Sequence, residues 1–134
     1  MDGRLYVFGG LNAEEEILSS AERFDPERNI WEALLPMGAE RKGAAAAAMG
    51  GRLYVFGGSN AQDYSLSSAE RFDPERNLWE ALPPMGSERA GASAAAMRGS
   101  LYIFGGFRSS DARRAEAVTL SSAERFDPES QPGK

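Results

Sequence analysis

The chain has 134 residues, 42% of them hydrophobic, enough to bury a domain-sized core. Its net charge of −5 and pI near 4.8 argue against a nucleic-acid or acidic-membrane surface, and no apolar run approaches the roughly 20 residues of a membrane span. There is no His and no Cys, which excludes Ser-His-Asp and Cys-His catalysis, an imidazole base, the usual zinc sites and a disulfide framework. No metal or cofactor is expected. Repeat sequence starts directly after Met1 with no space for a cleavable leader, so a cytoplasmic setting is expected.

The first apolar run, "LYVFGG" at Leu5–Gly10, returns at Leu53–Gly58 and, as "LYIFGG", at Leu101–Gly106; the glycine pairs are spaced 48 residues apart each time. Each run is followed by a copy of "LSSAERFDPE", beginning at Leu18, Leu66 and Leu120. A period near 50 with paired glycines marks a toroidal repeat in which every unit is one small sheet stacked on the next. The run itself alternates as a strand does. In the second copy Leu53 and Val55 point to one face and Tyr54 and Phe56 to the other, so both faces are expected to be covered. The glycines then end the strand where positive φ or the close approach of another segment is required.

The middle unit is the complete one. Its first segment, "GAAAAAM" (Gly43–Met49), reads as helix by propensity, since alanine is the best helix former. Five alanines between Gly43 and a "GGRL" turn are too few for an isolated helix, and small side chains suit an innermost strand where sheets converge. "SSAERFD" supplies the third strand, Asp73-Pro74 opens a turn, and Leu78, Trp79, Ala81 and Leu82 form a fourth that ends at Pro83-Pro84. Phe72 and Trp79 should stand on neighbouring antiparallel strands as core, with Phe24 and Trp31 repeating the arrangement.

An apolar run closed by Gly-Gly, an aromatic on the next strand and a Trp after six intervening residues resemble the kelch repeat. The Glu before that aromatic (Glu22, Glu70, Glu124) and the Arg opening the unit (Arg41, Arg89) also match. The strand-three aromatic departs from the family pattern: it is Phe24, Phe72 and Phe126 where Tyr is usual. The resemblance implies an all-β fold of four-stranded antiparallel β-propeller blades in an incomplete ring. Blade one (about 1–38) would lack its inner strand, blade two (about 39–86) would be whole, and blade three (about 87–134) would lack its outer strand. Propellers close with about four to eight blades, so self-association or additional blades would be needed to complete the ring.

Strand alternation divides the connections between two faces. The turns 1–2 and 3–4 are short and nearly invariant; the 2–3 loops vary as "LNAEEEI", "SNAQDYS" and "FRSSDARRAEAVT". Recognition is expected on the variable face, which is also the one the family commonly uses for ligands. Candidate contacts are Glu14, Glu15 and Glu16 in the first loop, Asp63 and Tyr64 in the second, and Arg108, Arg113 and Arg114 in the third. The charges are open to two readings, solvated loop charge or, for the arginines, a grip on an acidic peptide. Arg41 and Arg89, near the axis, would pair with the strand-three glutamates or touch a ligand at the channel mouth.

The resemblance implies a non-enzymatic protein- or peptide-binding module. Kelch propellers often recognise substrates within ubiquitin-ligase adaptors, beside BTB and BACK domains that this sequence does not contain. An actin-binding, cytoskeletal role is the alternative. A sugar-modifying activity using Glu and Arg in the channel is the third, whereas the copper oxidase of the wider family requires His and Cys ligands.

Overall fold

In the computed structural model, residues 3–62, 64–109 and 118–128 are described. Three antiparallel sheets follow one another along the chain. Sheet one contains β1 (Leu5–Phe8), β2 (Ala21–Asp25) and β3 (Ile30–Leu34). Sheet two contains β4 (Ala45–Met49), β5 (Arg52–Phe56), β6 (Ala69–Asp73) and β7 (Leu78–Leu82), hydrogen-bonded in that order. Sheet three contains β8 (Ser93–Met97), β9 (Ser100–Phe104) and β12 (Ala123–Phe126); between β9 and β12 rises a short hairpin, β10 (Phe107–Arg108) with β11 (Val118–Thr119). The fold is all-β, as expected from the repeats.

Local chemistry explains the strand ends. Gly50 and Gly51 both take positive φ (60° and 78°), which makes the two-residue turn between β4 and β5 that matches strand twist. Between β6 and β7 the Asp73 carboxylate accepts the Glu75 N–H at 3.0 Å, and Asn77 closes the turn at φ 54° by donating to the Asp73 carbonyl at 2.8 Å. The alanine tract is strand, not helix. Every residue of β4 is paired across to β5, from Ala45 opposite Phe56 to Met49 opposite Arg52. Between sheets, backbone approach within 8 Å is concentrated on β4 against β8. Only small side chains fit where two sheets come so close, and that tertiary demand overrides alanine's helical preference.

The main core lies between sheets two and three, where Tyr54 and Phe56 pack with Leu101 and Ile103. Phe72 stands opposite Trp79 with ring centroids 5.1 Å apart, and Phe24 and Trp31 repeat the spacing. Sheets one and two meet through Phe8, edge-on to Trp79 at 5.3 Å, while the Trp79 indole N–H donates to the Leu35 carbonyl at 2.8 Å.

Both faces of β5 are covered, as expected, with Leu53, Tyr54, Val55 and Phe56 buried, whereas the matching Leu5 and Val7 of sheet one are 64% and 50% exposed. One expectation needs correction. Trp31, expected in the core, is 53% exposed, because no described sheet lies against that side of sheet one.

Candidate interaction face

The 2–3 loops and the 4–1 connections interlock into one surface. Gly9 and Gly57 make this possible. Each has positive φ, and a Cβ there would collide with the carbonyl oxygen of Arg41 or Arg89 in the crossing connection. Across the next step, Lys42 and Ser59 exchange backbone hydrogen bonds at 3.0 and 2.8 Å, as do Ala90 and Phe107 at 2.9 and 2.8 Å. The Gly91 N–H reaches the Gly43 carbonyl at 2.8 Å and so joins the two connections. Loops two and three are stitched by Ser65, whose N–H donates to the Ser109 carbonyl at 3.0 Å and whose Oγ accepts the Ser109 N–H at 2.9 Å. A surface tied by backbone bonds is a stiff platform for variable side chains.

Loops one and two share a frame. Asn12 Oδ1 accepts the N–H groups of Glu14 and Glu16, both at 2.9 Å, and Asn60 Oδ1 accepts those of Gln62 and Tyr64 at 3.0 and 3.1 Å. What differs is the tip. Glu14, Glu15 and Glu16 are exposed, with the Glu16 carboxylate also held by the Asn12 side-chain amide at 2.8 Å; Tyr64 is exposed in loop two. Arg108 is exposed on β10. Asp63, Arg113 and Arg114 lie outside the described residues.

Arg41 and Arg89 are only 1% exposed. The Arg41 guanidinium donates to Glu70 Oε2 at 3.3 and 2.9 Å and to the carbonyls of Gly57 at 2.8 Å and Ser68 at 3.1 Å, while Glu70 Oε1 accepts the Gly38 N–H at 2.6 Å. Arg89 repeats this on Glu124, Gly105 and Ser122. Both pair with the strand-three glutamate of the sheet they introduce. Four of the five N–H groups of each guanidinium are bonded within the chain, which favours the bracing reading over a ligand contact.

Beside these buried arginines the face opens into an apolar depression of about 380 Å³, lined by Leu11, Gly43, Ser59, Ala90, Gly91 and Phe107. Leu11 and Phe107 are 52% and 42% exposed on its walls. Neither was singled out in the sequence, though a signal was present. Each is the residue directly after a Gly-Gly pair, apolar at the start of a polar loop, where the middle unit has Ser59.

Residues 1–131 match the family model described as the KLHDC2/KLHL20/DRC7 Kelch-repeats domain. With glycine-paired strands, an aromatic pair across the outer strands and an Arg–Glu brace in each complete junction, the chain belongs to the kelch-repeat family, whose domains are generally protein-interaction modules.

Proposed function

We propose that this chain binds a peptide segment of a partner protein on the face built from its 2–3 loops and 4–1 connections. The observation that carries this reading is the apolar depression between Leu11 and Phe107 on a hydrogen-bonded platform. Exposed apolar walls among polar loops favour an apolar anchor residue of a partner. The charge pattern supports an acidic peptide that approaches over loop three, where Arg108 neighbours Phe107, and is kept off loop one by Glu14, Glu15 and Glu16. In the sequence, Arg113 and Arg114 extend the same basic loop. The absence of cysteine agrees with a cytoplasmic setting.

Such a surface suits substrate recognition in a ubiquitin-ligase adaptor, with an actin-binding role as the second reading. A ring completed by self-association or by additional blades would present it around a closed channel. The test is binding of fluorescent peptides in which one apolar residue sits among aspartates, against basic and scrambled controls. Phe107→Glu, and separately Arg113→Glu with Arg114→Glu, are expected to abolish binding of the acidic set. Equal binding of acidic and basic peptides, or binding unchanged in both variants, would remove the proposal. Co-sedimentation with actin filaments separates the second reading from the first.

A further inference from the structure

Ser59 lines the depression between Leu11 and Phe107 and is only 5% exposed. Its backbone is fully used, the N–H donating to the Lys42 carbonyl at 2.8 Å and the carbonyl accepting the Lys42 N–H at 3.0 Å. Its hydroxyl is not, for Ser59 Oγ makes no hydrogen bond among the described residues. The nearby Ser65, equally buried, does use its hydroxyl, which accepts the Ser109 N–H at 2.9 Å. Buried polar groups are nearly always bonded, so an idle hydroxyl on the lining of a depression marks the place of a ligand group. The other polar side chain on that lining, Lys42, already has a partner in the chain. Leu11, Ser59 and Phe107 each follow a Gly-Gly pair, so one repeat position supplies both apolar walls and the hydroxyl between them.

We infer that Ser59 is the specificity-determining residue of the depression, and that the anchor it selects is a tyrosine whose phenolic hydroxyl meets Ser59 Oγ. This rests on the peptide-binding reading and adds which side chain the peptide must carry. The floor suits a flat ring. Gly43 and Gly91 present bare backbone, joined by the 2.8 Å bond between them, and a Cβ on Gly91 would come within 3.2 Å of the Phe107 ring. A leucine or phenylalanine anchor would cover the apolar walls but strip Ser59 Oγ of solvent with no bond in return. A short polar anchor would satisfy the hydroxyl and leave Leu11 and Phe107 exposed. Tyrosine meets both demands, with an apolar ring and a hydroxyl at its leading end. That hydroxyl can donate or accept, as Ser59 Oγ can, whereas an indole N–H sits on the flank of its ring system and only donates.

The test titrates the wild-type chain and Ser59→Ala into fluorescent acidic peptides that differ only in the anchor, which is Tyr, Phe, Trp or Leu. Wild type is expected to bind the Tyr peptide about five- to tenfold more tightly than the Phe peptide, the size of one neutral hydrogen bond. Ser59→Ala should bind the Tyr and Phe peptides alike, through lost affinity for Tyr. No bond within the chain uses the hydroxyl, so the variant should keep the wild-type circular-dichroism spectrum and melting curve. Should it not fold, the comparison of Tyr with Phe on wild type decides alone. Equal wild-type affinities for the two, with binding that Phe107→Glu still abolishes, would overturn this inference and leave the peptide-binding reading standing. A Tyr preference that persists in folded Ser59→Ala, or a Trp peptide that binds more tightly than Tyr, would also overturn it. Binding of none of the peptides would overturn both.

Discussion

Arg41 shows how one buried charge can organise several backbone segments. Its guanidinium neutralises Glu70 and also satisfies the carbonyls of Gly57 and Ser68, while Glu70 takes up the Gly38 N–H. Removing one member of a buried pair leaves the other charged and desolvated, so Arg41→Ala should cost about 3–5 kcal/mol in urea denaturation. An isolated buried pair can often be replaced by apolar residues at little cost. Here that rescue should fail, because Arg41→Met with Glu70→Leu still orphans two carbonyls and one N–H. Near-wild-type stability of the double variant would contradict this account. The partner of Arg41 was legible from residue types, since a Glu stands before each strand-three aromatic. That both side chains are buried was not, because burial comes from segments far away in the chain.

At the scale of the strand pair, Arg71 on β6 and Glu80 on β7 stand directly opposite and bond at 2.8 Å. The hydrogen bond from Arg71 holds the Glu80 carboxyl below its ordinary value, against the opposing effect of desolvation; Arg23 does the same for Glu32 in sheet one. A carboxyl depressed in the folded state stabilises above its unfolded pKa of about 4.3 and loses that contribution as pH falls through the lower folded value. The Glu80→Gln variant should therefore lose less stability than wild type between about pH 7 and pH 3. Equal losses in denaturation curves at the two pH values would exclude the pair as a source of acid sensitivity. These sheets were well marked in the sequence. Alternation, Gly-Gly and Asp-Pro punctuation and the Phe–Trp spacing are local signals, and the register follows from the turns. The alanine strands β4 and β8 are the exception, since their own propensity points to helix and only neighbouring strands make them extended.

For the chain as a whole, the apolar strand faces exposed on sheets one and three decide behaviour. If copies of the chain associate through the exposed Leu5, Val7 and Phe104 surfaces, the melting temperature should rise with chain concentration, since association stabilises by mass action. Thermal melts across about a hundredfold dilution measure this; a concentration-independent midpoint would speak against such association. The near-identical repeats also create a folding hazard, because "LSSAERFDPERN" of one unit can pair in the register of another.

The identical strings "LYVFGG" at Leu5–Gly10 and Leu53–Gly58 separate what each level decides. Their sequence alone determined that both are strands, that Leu/Val and Tyr/Phe take opposite faces, and that each ends at a glycine pair. Only the tertiary structure decided that Val55 is 1% exposed and Val7 50%. It also assembled the depression whose walls, Leu11 and Phe107, stand nearly a hundred residues apart in the chain. The reason is that strand geometry is set by neighbours along the chain, whereas burial and surface shape are set by which sheets lie alongside.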